Sequence, residues 1–218
     1  FREFYQCDVD VVGTESRIAE AECIAVVHDS LVALGFDSFK IRLNDRRILN
    51  AMVDNIGALD KESDVLVALD KLDKIGEAGV RTELQNRGLS AAQCDTLFGM
   101  LSGENIPGSE LFLKELAQIQ EWAYTMGVEA HRLDVDFTLA RGLNYYTGPV
   151  FETVLTDANI GSVSGGGRYD GLVGMFSKRD VPAVGVSLGL ERLITIMDER
   201  GMFDSAGTGS CVWITVFN

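Results

Sequence analysis

The chain is poor in the groups that carry metal and redox chemistry. It has 4 cysteines and 2 histidines in 218 residues. Cys7, Cys23, Cys94 and Cys211 are widely spread and form no C-x-x-C pair, and the histidines are His28 and His131. That spacing argues against a structural zinc site and against a disulfide framework. Neither histidine has a Cys or Ser partner that suggests a nucleophile. Reduced thiols fit a cytoplasmic location. No uninterrupted apolar run approaches the ~18 residues of a membrane span, so no membrane partner is expected. Positive charge is scarce as well: 19 Lys+Arg against 33 Asp+Glu leave a formal charge of −14. Such a chain does not hold nucleic acid by bulk charge. Any RNA contact must be local, or must need another domain.

What is present fits a packed core. Hydrophobic residues make up 46% and charged residues 24%, which excludes a disordered tail or a fibrous repeat. The length suits one to two domains. Phe1 to Tyr5 reads as the middle of a strand, and Val212 to Val216 reads as a strand that stops short. The expectation is a fragment of a longer chain.

Residues 1–12 are aromatic and β-branched with polar residues interleaved, which predicts a strand ended by Gly13. Thr14 is placed to cap a helix, and Ile18, Ala21, Ala25, His28 and Leu31 recur at helical spacing up to Gly35. Phe39, Ile41 and Leu43 alternate with Lys40 and Arg42, as in a half-buried strand. From Asp45 to Gly127 strand signals vanish, with helix caps expected at Ser90 and Ser109. Strands are predicted again at 134–140, 145–155, 161–165 and 183–188, and a helix from Gly189. The pattern predicts an α+β fold, an antiparallel sheet flanked by helices, with an all-helical insertion. The expected boundaries are core at 1–44 and 128–208, insertion at 45–127, and the start of a further domain at 209–218.

Four segments hold chemistry-bearing residues. In Arg141-Gly142-Leu143-Asn144-Tyr145-Tyr146-Thr147-Gly148, Arg141 would continue the odd-numbered face of Phe137 and Leu139. It would then clamp a carboxylate or phosphate, or make a surface ion pair on an edge strand. The adjacent Tyr145 and Tyr146 would face opposite sides of a regular strand, so at most one would line a cleft. In Gly165-Gly166-Gly167-Arg168-Tyr169-Asp170, the glycines let backbone approach a ligand closely or make a flexible hairpin. Arg168, Tyr169 and Asp170 favour recognition. In Gly189-Leu190-Glu191-Arg192, a cation stands in the first helical turn against the helix dipole. That suits a ligand, or a pairing with Glu191 or another carboxylate. In the opening strand, Gln6 and Asp10 offer an amide and a carboxylate on one side, suited to an ammonium group or to a solvent-facing polar edge.

Together these segments resemble the catalytic domain of histidyl-tRNA synthetase, a class II aminoacyl-tRNA synthetase. Arg2 to Asp8 resembles the second strand of class II motif 2, Arg141 to Gly148 the first histidine-specific motif, Gly165 to Leu172 the second, and Gly189 to Leu193 motif 3. Asn144 stands where the first histidine motif usually has Asp, and the wording around Asp10 and Asn44 to Arg47 is similar to the eukaryotic-type branch. The resemblance implies activation of L-histidine with ATP and magnesium, and transfer of histidine to its tRNA by a homodimeric ligase. It implies that Gln6 and Asp10 hold the α-amino group, and that Arg141 is the catalytic arginine, meeting the carboxylate and the α-phosphate. Tyr145, Tyr146 and Tyr169 would belong to the imidazole pocket, with Gly165 and Gly166 in its wall. Arg192 would stack on adenine with Gly189 and Glu191 beside it, and Arg2 would reach the triphosphate. The insertion would approach the acceptor stem of the tRNA. Motif 1, the first strand of motif 2 and most of the anticodon-binding domain have no counterpart in this sequence. The weighed alternatives are a histidine-sensing regulatory paralogue and a non-catalytic interaction module. Keeping Arg141, Arg192 and the insertion together favours the enzyme.

Overall fold

The computed structural model describes residues 4–140, 145–176 and 179–203. Arg2, Arg141, Asn144, Cys211 and the strand expected at Val212 to Val216 lie outside them. Among the described residues the fold is α+β, with one six-stranded sheet. Its strands are β1 (Cys7–Val12), β2 (Phe39–Asp45), β3 (Leu133–Val135), β4 (Pro149–Leu155), β5 (Ser162–Arg168) and β6 (Ala183–Leu188). Their order is β1-β6-β5-β4-β2-β3, antiparallel except for β2 beside β3.

The register sorts side chains into two faces. Val9, Val186, Gly166, Phe151 and Leu43 stand in one row across the sheet. This row faces α1 (Ile18–Ala33), which packs on the β5–β6 side, with α6 (Glu110–Thr125) against α1 and β2. Phe151, Val186 and Leu43 are buried there, each worth about 1.5–3 kcal/mol of hydrophobic stabilisation. The rows on either side point the other way. They hold Asp8, Ser187, Gly165, Glu152 and Arg42, then Asp10, Gly185, Gly167, Val150 and Asn44. Along β1, β6 and β5 that second face is polar or glycine-lined and open for a ligand, whereas Val150, Glu152 and Asn44 are buried.

Between β2 and α6 run α2 (Arg46–Asn55), α3 (Glu62–Leu69), α4 (Leu72–Asn86) and α5 (Ala91–Leu101). Ser90 caps α5 through a capping box with Gln93. Gly76 breaks α4 with φ 68° and ψ 174°. α1 ends in a Schellman turn, where Gly35 has φ 84° and the Phe36 amide donates to Leu31 at 2.9 Å.

Several predicted elements shift for local reasons. The opening strand starts at Cys7, because its partner β6 ends opposite it at Leu188. Thr14 does not cap α1; its Oγ1 accepts from the Ser16 amide, and the helix begins after Arg17. Ser109 donates to the Ile106 carbonyl at 2.6 Å instead of capping α6. β3 stops at Val135 because Asp136 Oδ1 accepts from the Thr138 amide at 2.9 Å and turns the chain. The regular strand that would have aimed Arg141 therefore ends six residues before it. β5 runs on through Gly165, Gly166 and Gly167, so the glycines form a central strand and not a hairpin.

Arg168 is 1% exposed and points to the helix face, not to a ligand. Its Nε and Nη2 donate to the two oxygens of Glu20 at 2.6 and 2.8 Å, and Glu20 is fully buried in α1. The remaining donors reach the Thr14 carbonyl at 3.0 Å, Asp170 at 3.0 Å and the Ser16 carbonyl at 3.4 Å. Removing one partner of such a pair strands a buried charge. Glu20→Gln is expected to lower the unfolding free energy by about 3–5 kcal/mol in urea titrations. Lys40→Met, which breaks the exposed Lys40–Asp134 bridge, should cost less than about 1 kcal/mol in the same titration. Equal losses would show that the Arg168–Glu20 pair has no special weight.

Candidate active site

Two adjoining clefts open on the polar face of the sheet. The first holds about 210 Å³ and is lined by residues that include Gln6, Asp8, Asp10, Tyr145, Tyr146 and Tyr169. The second holds about 380 Å³ and lies against Phe4, Tyr5, Leu188, Gly189, Glu191 and Arg192. Gln6 and Ser187 line both, so they form the shared wall.

Glycines make the floor of the first cleft. A Cβ on Gly185 would fall 1.9 Å from Asp10 Oδ1, so only glycine lets that carboxylate lie over β6. A Cβ on Gly167 would meet the Tyr146 ring at 3.0 Å and the Pro149 carbonyl at 2.7 Å. Gly165 is open above, its Cβ position meeting only the Phe151 carbonyl, at 3.9 Å. Gly166 does not line the cleft. It lies on the opposite face, where a Cβ would collide with Phe151 Cε2 and the Gly185 carbonyl. The strand alternation separates it from Gly165.

Both adjacent tyrosines reach the cleft, against the expectation of one. β4 begins only at Pro149, so Tyr145 and Tyr146 sit in the preceding turn and are not bound to opposite faces. The Thr147 amide, donating to the Arg168 carbonyl at 2.8 Å, fixes that turn to the end of β5. The Tyr145 and Tyr146 ring centroids lie 4.7 Å apart, and Tyr145 meets Tyr169 edge-on at 6.1 Å. The Tyr169 hydroxyl donates to Asp10 Oδ1. Burial, and then the neighbouring Asp10 carboxylate, push the Tyr169 phenol above its usual range. Burial and Tyr145 do the same for Tyr146. Both remain neutral hydrogen-bonding groups at any ordinary pH. Beneath them, burial, with Glu20 and Asp10 adding, pushes the Cys23 thiol up to about 12, which removes it as a nucleophile.

The second cleft has the opposite electrostatics. Arg192 lies in the first turn of α7 (Leu190–Glu199), which Gly189 caps. Its Nη1 donates to the Ser162 carbonyl, and to Ser162 Oγ at 3.3 Å. It pairs with no carboxylate among the described residues. Glu191 is taken instead by the Tyr5 amide, which donates to Oε1 at 2.6 Å and ties the wall of Phe4 to Gln6 to α7. The pair of clefts thus has carboxylates and phenols at one end and a tethered guanidinium with apolar surface at the other. That arrangement fits a small zwitterion beside an anionic aromatic ligand.

Sequence reasoning missed Asp8, Leu172, Gly185, Val186 and Ser187, which also line the first cleft. Asp8 was legible as a third member of the even-numbered set with Gln6 and Asp10. Gly185 carried the ordinary signal of a glycine inside a strand. Ser187 and Leu172 had no signal short of the register and the turn after β5.

The upstream approach to Arg141 is firmly held. Arg42 donates to Asp136 at 2.6 Å, Thr138 at 3.1 Å and Asp73 at 2.9 Å. Asn44 Nδ2 donates to the Phe137 and Leu139 carbonyls at 3.3 and 3.0 Å. Burial opposes the Asp136 charge, but hydrogen bonds from Thr138 and Arg42 hold it below the usual carboxylate range.

Gly185→Ala is expected to displace Asp10 and break its bond to Tyr169 while keeping the secondary structure. The Tyr169 phenol should then fall part of the way back toward about 10, read by NMR titration of labelled tyrosine. An unmoved titration would mean that Asp10 is not held over Gly185.

The family model described as Histidyl-tRNA synthetase matches residues 1–193. The histidine–tRNA ligase of Aeropyrum pernix is 41% identical over 215 residues, covering 93% of this chain and 49% of that protein. That of Gloeobacter violaceus is 41% identical over 223 residues, covering 94% and 48%. The crystal structure of histidyl-tRNA synthetase from Nostoc sp. PCC 7120 superposes with a TM-score of 0.83 at 32% identity, over 91% of this chain and 51% of that one. The chain spans about half the length of the curated relatives it matches.

Proposed function

The chain belongs to the histidyl-tRNA synthetase family, and from that premise we propose that the protein carrying it activates L-histidine with ATP and passes the histidyl group to its tRNA. The observation that supports this reading most is the pair of clefts sharing the wall of Gln6 and Ser187. Two substrates that must react head to head need two sites that meet, each with the matching charge.

Histidine occupies the first cleft, its imidazole toward Tyr145, Tyr146 and the Asp10–Tyr169 pair. Phenols that stay neutral hydrogen-bond either ring nitrogen, which selects a side chain with polar atoms there. ATP occupies the second, with adenine stacked on Arg192 and framed by Gly189 and Glu191. Arg2 contacts the triphosphate. Arg141 meets the histidine carboxylate and the α-phosphate. In adenylation a carboxylate oxygen bonds to the α-phosphorus, the α–β phosphoanhydride breaks, and pyrophosphate leaves. No proton needs to move in that step, so fixed cations that stabilise the phosphoryl oxygens suffice. Among the described residues no group of three potential metal ligands converges. Magnesium would accompany ATP and offset the charge of its phosphates.

The core segments 1–44 and 128–208 form the synthetase domain, 45–127 the helical insertion that approaches the tRNA acceptor stem, and 209–218 the start of the anticodon-binding domain. No described helix is long and apolar enough to cross a membrane. The protein works as a cytoplasmic homodimer.

Histidine-dependent ATP–pyrophosphate exchange by the protein carrying this chain tests the reading. Exchange is expected, Arg141→Ala should abolish it with the fold intact, and Arg192→Ala should raise the KM for ATP by at least about tenfold, the worth of one charge-assisted contact. Histidine binding without exchange would replace the enzyme by a histidine sensor.

A further inference from the structure

We propose that Glu191 is a positioning residue of the second cleft: by accepting the Tyr5 amide, its carboxylate holds residues 4–6 as the wall against which the nucleotide binds. The inference deepens the reading of that cleft as the ATP site and rests on it.

The need for such a residue follows from the sheet. β1 and β6 pair from Val12 with Ala183 to Cys7 with Leu188. There β6 stops, because Gly189 leads the chain into α7. Residues 4–6 lie ahead of that last rung, where β6 no longer offers carbonyls to their amides. All three are exposed, so burial does little to hold them. Among the described residues, the polar contact that ties them down is the Tyr5 amide, donating to Glu191 Oε1 at 2.6 Å. A side-chain oxygen of α7 thus takes the place of the missing strand carbonyl.

Residues 4–6 line the second cleft, and so do Gly189, Glu191 and Arg192. The bond therefore joins two of the segments that form it. A carboxylate that met only the ligand would repel its phosphates. Bound to the Tyr5 amide, Glu191 has a role that needs no nucleotide. Its place in the first turn of α7 also suits the helix dipole, but that effect depends on charge. The bond to Tyr5 needs only an acceptor oxygen, so substitution separates the two. Adjacent residues then divide the work. Arg192 is fixed from the start of β5 through Ser162, and Glu191 fixes the wall.

Calorimetric titration of ATP into the protein carrying this chain, and into its variants, tests the role. Glu191→Ala is expected to weaken ATP by at least about fivefold, the worth of one hydrogen bond. Glu191→Gln loses the charge and keeps the acceptor oxygen, so it should recover most of that loss. Tyr5→Pro has no amide hydrogen to donate. In that background Glu191→Ala should weaken ATP by less than about twofold more, since both changes remove the same bond. Gln as damaging as Ala would assign Glu191 to the ligand or to the helix dipole. The full loss persisting beside Tyr5→Pro would show that Glu191 does not act through the amide. Either result, or unchanged binding in Glu191→Ala, overturns the proposal and leaves the nucleotide reading intact. Wild-type protein that binds histidine but no ATP overturns both.

Discussion

The buried pair of Arg168 and Glu20 is the constraint on which the rest of the site depends. It joins the end of the central strand β5 to the helix α1 that covers it. All five guanidinium donors are satisfied, two by Glu20 and the others by Asp170 and two carbonyls of the turn before α1. A charge so enclosed tolerates no partial arrangement, since any shift leaves a buried donor without an acceptor. The backbone at Arg168 is therefore fixed. So are Tyr169, next along the chain, and Thr147, which bonds the Arg168 carbonyl.

The same charge pattern continues away from the sheet. Glu20 also accepts from Arg17 at 3.1 Å, and Arg17 from the other side binds Glu115 of α6 at 3.0 Å. Glu115 accepts from Arg47 at 2.5 Å, and Arg47 binds Asp45 at the end of β2 at 2.6 Å. A strongly acidic chain thus uses several of its arginines to bind α1, α2, α6 and the sheet together. Arg192, in the second cleft, differs: among the described residues it is tethered to Ser162 and meets no carboxylate that would neutralise it.

Much of the site was legible, and the failures have identifiable causes. Gln6, Asp10, Tyr145, Tyr146, Gly165 and Tyr169 meet in one cleft, as their residue types suggested. Gly189, Glu191 and Arg192 meet in the next. Gly166 was misplaced because three consecutive glycines look alike in a sequence and differ only once the strand assigns their faces. Arg168 was misread for a related reason: its position predicts recognition, but its parity within β5 sends it under α1. Tyr145 and Tyr146 were held to one face each because the strand was started four residues too early. Asp136, through its bond to Thr138, ended the preceding strand and removed the regular path to Arg141.

The sequence by itself determined the family, the helical insertion between two β-rich segments, and many of the residues that line the two clefts. These follow from local pattern and from motifs in order, which need no coordinates. Only the tertiary structure decided which side chains are structural and which face the clefts. Register sets this across strands far apart in the chain, and one residue of shift exchanges the two faces. It placed Asp8 beside Ser187, set Asp10 over Gly185 where only a missing Cβ gives room, and hid Arg168 against a glutamate 148 residues away.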